Sequence, residues 1–303
     1  MARRTIGAAA ILASTVASGF ADDATILALS HQWSTSDPRH QVAQMLADEL
    51  HEQGVGLDVR VHPATSLMGP AQQYDALGAG DLALAIMPLA YAVERRPEYA
   101  LTVLPGLARD HDHAERLAGS AFMAELEALM AEDGIVVVAH GFLASGLVGR
   151  EACTVEFGAL SAVEASFAEL SSVNWTTASS GSGGIFADGL IDRKACYTAP
   201  GQTLPSIIYQ PLLMSAAVFD TLTAEQQRAI RETAASVQEA YRDEAELQDR
   251  LILSGFRDAG VVVREMLPHE FETWRGDVWR AVAPSFVDDP ASVHLFELAL
   301  SVN

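Results

Sequence analysis

The residues with the greatest capacity for binding chemistry lie in one short stretch near the amino terminus. His31, Trp33, Arg39 and His40 follow the apolar run 26–29. Imidazole, indole and guanidinium groups are donors that can hold a carboxylate or another small anion. The stretch therefore predicts a site for an anionic ligand. The alternative is a surface turn with a half-buried tryptophan.

A strand followed by a helix must position these side chains. Asp37 can cap the helix, and Pro38 suits its first position because the missing N–H costs nothing there. Gly54 offers the end of the helix. The buried helix face is formed by apolar residues at helical spacing: Val42, Met45, Leu46 and Leu50. In open α/β sheets anions bind where strands end and helices begin, so we expect the site at that edge.

The pattern that follows is typical of an α/β fold. Alternation over 57–61 indicates a strand, 69–77 a short helix, and the apolar run 82–87 a strand covered on both faces. This β-α-β-α-β order predicts a parallel sheet with right-handed crossovers. Four later elements are predicted: a helix capped by Asp112, a central strand at 135–138, an edge strand or bent crossover at 207–214, and a long helix opened by a Thr223/Gln226 capping box.

Composition indicates an exported protein. The chain has 303 residues, 50% of them hydrophobic, and a net charge of -21. Arg3 and Arg4 precede an apolar run, and small residues lead to Ala21, so residues 1–21 are predicted to be a secretory signal peptide. No later run is long enough to span a bilayer. Such an acidic chain argues against a nucleic-acid partner, because phosphates require Lys and Arg.

No motif for a metal, a cofactor or hydrolysis stands out. His111 and His113 lack a third ligand at a suitable spacing, and Ser182 lies in a glycine-rich stretch without the strand-turn-helix geometry of a nucleophile. We therefore expect no cofactor, no metal and no enzyme activity. The two cysteines, Cys153 and Cys196, are expected to form one disulfide in an oxidising compartment. Two separate buried thiols are the alternative.

A series of short motifs runs in order between about residues 26 and 286. They are His31-Gln-Trp33, Ser36-Asp-Pro-Arg-His40, Ser66-Leu-Met-Gly-Pro70, Gly80-Asp81-Leu82, Leu104-Pro-Gly106, Cys196-Tyr-Thr-Ala-Pro-Gly201 and Tyr209-Gln-Pro-Leu-Leu-Met214. With the helix start Leu222-Thr-Ala-Glu-Gln226, this series resembles the extracytoplasmic solute receptors of TRAP transporters, the DctP type.

The resemblance implies a fold like that of type II periplasmic binding proteins, with two α/β lobes, crossover strands and a long C-terminal helix. Lobe I would comprise 22–143 and a shortened lobe II 144–214, with 215–285 contributing to both and 286–303 forming a tail. The resemblance also implies a periplasmic receptor that closes on a small organic acid and delivers it to the TRAP membrane permease subunits, without itself spanning the membrane.

The resemblance also implies a set of ligand-binding residues. The matching positions are Trp33, Gln73, Tyr91, Phe142, Asn174, Trp175 and Tyr209. Family receptors clamp the ligand carboxylate with an arginine of the second lobe, but 151–192 contains no Lys or Arg. Arg39 is therefore the expected substitute, with His31 or His40 as weaker ones. Two alternatives are a degenerate or repurposed receptor and a secreted hydrolase acting through Ser182 or His140.

Overall fold

A computed structural model describes most of the chain. The described residues are 24–104, 106–144, 196–197, 207–258, 262–263, 267–283 and 289–302. The predictions for the signal peptide at 1–21, for Asn174 and Trp175, and for the pairing of Cys153 with Cys196 depend on residues outside these ranges. The same holds for most of the proposed second lobe.

Strands and helices alternate in the first half of the chain. The strands are β1 (Thr25–Ser30), β2 (Leu57–His62), β3 (Leu84–Ile86), β4 (Ile135–Ala139), β5 (Phe142–Ala144), β6 (Cys196–Tyr197), β7 (Ile207–Tyr209), β8 (Leu212–Ser215) and β9 (Val262–Val263). The α-helices are α1 (Pro38–Glu52), α2 (Pro70–Ala79), α3 (His111–Ala118), α4 (Ala121–Glu132), α5 (Ala216–Thr221), α6 (Ala224–Asp258), α7 (Pro268–Val282) and α8 (Pro290–Ser301). Two 3₁₀ helices, Leu89–Ala92 and Pro97–Val103, follow β3.

A five-stranded sheet in the order β2-β1-β3-β8-β4 forms the centre of the described structure. β1 is parallel to both β2 and β3, as the β-α-β-α-β pattern predicts. β8 lies in the segment predicted to be an edge strand or a bent crossover, but it is placed between β3 and β4 and runs antiparallel to both. The chain reaches β8 directly from β7 and not through a helix, so the handedness rule for parallel strand-helix-strand connections does not apply to it. β4 lies at an edge of this sheet, not at its centre.

Helix starts follow the capping chemistry of the sequence. Asp37 caps α1 as predicted, its carboxylate accepting the Arg39 N–H at 3.0 Å. The predicted helix capped by Asp112 is instead two helices, α3 capped by Asp110 and α4 capped by Ser120. Gly119 is a poor helix former, and the Ser120 hydroxyl accepts the Met123 N–H at 3.3 Å, so a new helix begins there.

Helix α6 covers one face of the sheet. The predicted capping box is present, with the Thr223 N–H donating to Gln226 Oε1 at 3.0 Å and the Gln226 N–H to Thr223 Oγ1 at 3.2 Å. Its apolar stripe, including Val237 and Tyr241, is buried with the apolar face of α1. A second apolar cluster, built from α2, α4, α8 and the 3₁₀ helices, covers the other face. Within the described ranges, no helix is long and apolar enough to cross a membrane.

A buried carboxylate ties α2, the second 3₁₀ helix and the end of α4 together. Asp133, with its side chain 6% exposed, receives Arg96 Nε at 2.8 Å and Arg96 Nη2 at 3.0 Å. The Tyr74 hydroxyl donates to it at 3.0 Å, and the Tyr99 hydroxyl lies 3.3 Å from the carboxylate and 2.6 Å from the Tyr74 hydroxyl. Burial alone would raise the pKa of Asp133, but the hydrogen bonds from Arg96 and the tyrosines and the Arg96 charge outweigh burial and lower it.

We predict that Asp133→Asn lowers the free energy of unfolding by about 3 kcal/mol at pH 7, because Arg96 loses its buried partner. Since the folded-state pKa of Asp133 is lowered, its contribution is present above the unfolded pKa of about 4 and is lost as the pH falls further. Urea unfolding between pH 3 and 7 should show a smaller acid loss in the variant. Glu132→Gln, which changes the exposed partner of Arg96, is the control and should cost less than about 1 kcal/mol. Equal losses in both variants would contradict this account.

Candidate functional site

The candidate site lies where β1 and β3 end side by side. Gln32, in the turn after β1, donates from Nε2 to the Tyr91 hydroxyl at 2.7 Å. Gln73, in the first half of α2, donates from Nε2 to the hydroxyl of Ser30, the last residue of β1, at 3.2 Å. The structure thus joins the turn after β1, α2 and the segment after β3 at the edge that the sequence indicates.

His31 is fully buried at this edge and acts as a neutral hydrogen-bonding group. Its Nδ1 accepts the Trp33 backbone N–H at 3.2 Å, so its Nε2 carries the proton and donates to His40 Nδ1 at 3.2 Å. Burial, and to a smaller extent the neighbouring His40, lowers the pKa of His31 to about 4. A neutral His31 offers a ligand a hydrogen-bonding group rather than a positive charge near neutral pH.

Arg39 is 3% exposed and engaged on several sides. Its Nε and Nη2 donate to the two carboxylate oxygens of Asp37 at 2.6 and 2.5 Å. Nη1 donates to Gln210 Oε1 at 2.8 Å, and Cζ lies 3.9 Å from the ring centroid of Trp33. A ligand carboxylate could reach the Nε/Nη2 side of this guanidinium only by displacing Asp37. Asp37 also occupies the amino terminus of α1, where the sequence suggests anion binding.

Three buried polar atoms remain unpaired at the same edge. Among the side chains that the structure describes, Gln32 Oε1, Trp33 Nε1 and Gln73 Oε1 are the buried atoms without a hydrogen-bond partner. Trp33 is 4% and Gln73 0% exposed. An unpaired buried polar group costs about 1–3 kcal/mol, so native structures keep few of them. Their concentration here marks an edge suited to an incoming polar group.

A strained turn fixes the backbone behind this edge. Residues 63–66 form a turn closed by a hydrogen bond from the Ser66 N–H to the Pro63 oxygen at 3.0 Å. Ala64 and Thr65 have φ of 53° and 57°, values that glycine or asparagine adopts more easily. The Ala64 N–H donates to the Trp33 oxygen at 2.8 Å, and the Thr65 N–H donates to the oxygen of His31 at 3.1 Å. The turn therefore holds the backbone that carries both rings.

Phe142 and Tyr209 form a second group on the crossover strands. β5 and β7 pair antiparallel, and the two rings lie with centroids 5.0 Å apart. Tyr209 is fully buried, and its hydroxyl lies 2.9 Å from Nδ1 of His140. Burial lowers the pKa of His140 to about 4. Its neutral ring can accept from Tyr209 and donate from Nε2 to Glu127 Oε1, 3.2 Å away. Both ring nitrogens of His140 are therefore bonded within the protein, whereas a hydrolytic role would require one of them to be free for a nucleophile.

A cavity of about 520 Å³ lies between α3, the β4–β5 connection and α6. His140 and Phe142 line it, together with residues of both helices, whereas Trp33, Gln73 and Tyr91 do not. The structure thus brings His31, Trp33, Arg39, Gln73 and Tyr91 to one edge, whereas Phe142 lines the cavity and belongs to the same apolar cluster as Tyr91. The two groups connect through Gln210, next to Tyr209 and bound to Arg39.

Sequence reasoning missed three residues of this arrangement. Gln32 binds Tyr91, Asp37 pairs with Arg39 in addition to capping α1, and Gln210 receives Arg39. The available signals were the position of Gln32 between His31 and Trp33, the opposite charges two residues apart at 37 and 39, and the place of Gln210 in the quoted Tyr209–Met214 motif.

Comparison with known proteins identifies the family of the chain. The model of a family described as bacterial extracellular solute-binding protein, family 7 (DctP) matches residues 29–148 and 197–288. Residues 149–196 lie outside both matched segments. A solute-binding protein of Albidiferax ferrireducens is 23% identical in an alignment 288 positions long, and the match covers 85% of this chain and 85% of that protein.

Solved structures share the fold. A TRAP periplasmic solute-binding protein from Rhodoferax ferrireducens, crystallised with bound malonate, has a TM-score of 0.74 and 20% identity, covering 91% of this chain and 98% of its own. One from Pseudomonas aeruginosa, with bound L-malate, has a TM-score of 0.65 and 19% identity, covering 84% and 99%. The α/β fold predicted from the sequence, like that of type II periplasmic binding proteins, is confirmed.

We predict that Thr65→Gly raises the free energy of unfolding by about 0.5–1 kcal/mol, because relief of the left-handed strain exceeds the entropy cost of glycine. Ser66→Gly is the matched control. Ser66 is exposed like Thr65 and has no positive φ, so this change should destabilise by about 0.5 kcal/mol. Urea unfolding measures both. If Thr65→Gly destabilised as much as Ser66→Gly, the turn would not store strain.

Proposed function

Because the chain belongs to family 7 of the bacterial extracellular solute-binding proteins, we propose that it captures a small mono- or dicarboxylate and delivers it to TRAP membrane permease subunits. Members of this family are extracytoplasmic transport receptors and not enzymes. Capture would take place in a cleft bordered by the β1–β3 edge. The domain division predicted above, with lobe I at 22–143 and a shortened lobe II at 144–214, is part of this proposal.

The unpaired atoms at the β1–β3 edge carry the proposal. Trp33 Nε1 is an obligate donor and suits a ligand oxygen. The free amide ends of Gln32 and Gln73 suit a second polar group of the ligand, since an amide offers a donor or an acceptor according to its orientation. Tyr91, 6% exposed and bound to Gln32, would form part of the wall. Such convergence of a few polar groups in an apolar setting is typical of small-molecule sites.

The bound malonate and L-malate of the two structural neighbours support an organic acid as the ligand class. The family resemblance adds Phe142, Asn174, Trp175 and Tyr209 to the proposed site, and Arg39 would support it from beneath Trp33. A degenerate receptor without a ligand is the second candidate. It is favoured by the lack of Lys and Arg in 151–192 and by the pairing of Arg39 with Asp37.

We predict that one class of acid raises the midpoint of thermal unfolding of the chain expressed without residues 1–21. The panel contains malonate, L-malate, pyruvate, gluconate and glucuronate. A ligand at a hundredfold excess over its Kd stabilises by about 2.7 kcal/mol, because it binds only the folded state. Uncharged glycerol and glucose are the controls and should leave the midpoint unchanged. A cooperative transition that no acid shifts would favour the degenerate receptor.

We also predict that Gln73→Met weakens the binding of the acid with the largest shift by about tenfold. The same change should leave the free energy of unfolding without ligand nearly unchanged, because the lost hydrogen bond to Ser30 is offset by removal of the unpaired buried oxygen Oε1. Calorimetric titration and urea unfolding measure the two effects. Gln72→Met, at the exposed neighbouring glutamine of α2, is the control and should bind as tightly as the parent. Parental affinity in Gln73→Met would remove Gln73 from the site.

A further inference from the structure

Gln210 lies where the chain crosses between β7 and β8, and its backbone is held on two sides. Its N–H donates to the Gly141 oxygen at 2.7 Å, which links it to the neighbouring β4–β5 connection. Its own oxygen accepts the Tyr241 hydroxyl of α6 at 2.9 Å. A Cβ on Gly141 would lie 2.5 Å from both the Gln210 oxygen and Tyr241 Cζ, so only glycine permits this approach. Both crossover connections and α6 therefore meet at this residue.

The side chain of Gln210 faces the ligand edge through Arg39. Arg39 Nη1 donates to Gln210 Oε1 at 2.8 Å, and Arg39 Cζ lies over the indole of Trp33, 3.9 Å from the ring centroid. Asp37 fixes the orientation of the guanidinium through Nε and Nη2. Gln210 is 3% exposed, so this contact is shielded from water. A continuous chain of contacts thus runs from Trp33 through Arg39 to Gln210.

This geometry argues against Arg39 as the clamp of a ligand carboxylate. A side-on clamp offers Nε and Nη2 to the ligand carboxylate, whereas here both groups form a bidentate pair with Asp37 and Nη1 donates to Gln210. A ligand that displaced Asp37 would leave that carboxylate, 7% exposed, without its charged partner. Breaking a buried ion pair in this way is strongly unfavourable.

We infer that Arg39 is a positioning residue that couples occupancy of the site at Trp33 to the crossover at Gln210. The inference rests on the proposed function, since it assumes that a ligand contacts Trp33. A ligand oxygen bound to Nε1 restricts the indole plane, and stacking transmits this restriction to the guanidinium. The planar guanidinium has a fixed fork of donors, so its orientation determines where Gln210 Oε1 is held. Lysine has a rotatable point charge and cannot replace this fork.

A double-mutant cycle on acid affinity tests the coupling, using whichever of malonate, L-malate, pyruvate, gluconate and glucuronate binds most tightly. Trp33→Phe and Gln210→Met should each weaken binding by about tenfold. If the chain of contacts acts as a unit, the double variant should bind the acid about tenfold to thirtyfold more weakly than the parent. This loss is well below the product of the two single losses in affinity. In an Arg39→Lys background, the two losses should multiply.

Gln226→Met is the matched control, because it removes a buried glutamine of α6 that binds the oxygens of Val55 and Gly56. Any effect of Gln226→Met on acid affinity should multiply with the effect of Trp33→Phe.

If Gln210→Met lacks a cooperative unfolding transition, Gln210→Asn replaces it, because the shorter amide withdraws its oxygen from Arg39. Multiplicative losses for Trp33 and Gln210 in the parent, or a coupling that persists in the Arg39→Lys background, would overturn the inference while leaving the proposed function intact. If no acid binds the parent protein, the proposed function fails and the inference fails with it.

Discussion

The buried ion pair between Asp37 and Arg39 is the interaction on which the candidate site depends. It closes the amino terminus of α1, supports the indole of Trp33 and reaches the crossover at Gln210. Burial of both charges costs a large desolvation free energy, which offsets the Coulomb attraction between them. The pair therefore adds little to the net stability and mainly fixes the geometry of the site. The same pair makes the end of α1 unavailable to an anion. Under the proposed function, neutral donors of the edge and residues elsewhere in the chain would recognise the carboxylate.

The β1–β3 edge carries features that cost stability. Three buried polar atoms lack partners, and two residues of the 63–66 turn adopt left-handed backbone conformations. A fold selected for stability alone would pair or remove these groups. Both features act on the same short segment, because the turn binds the backbone oxygens of His31 and Trp33. This coincidence is what a preorganised binding site requires, since an incoming polar group recovers the cost.

Local chemistry made much of the fold predictable. The Asp37 cap, the Thr223/Gln226 box and the apolar spacing of α6 depend on near neighbours, and all were confirmed. The antiparallel direction of β8 was not predictable from local pattern, because a short apolar strand shows the same pattern in a parallel and in an antiparallel sheet. For the site as well, local features were predictable and long-range contacts were not. The edge was predicted from strand and helix order, but the pairing of Arg39 with Gln210 joins residues 171 positions apart, which no local spacing reveals. The neutral state of His31 likewise depends on burial, a property of the folded chain.

The central claim is that a small organic acid binds against the indole of Trp33. The most direct measurement is the ¹⁵N–¹H correlation spectrum of the four tryptophan indoles during titration with the tightest-binding acid, with the Trp33 signal assigned from Trp33→Phe. The account predicts a saturable downfield shift of the Trp33 Nε1 proton with one-to-one stoichiometry, because that proton gains an acceptor. Stoichiometric binding that leaves the Trp33 signal in place would contradict it.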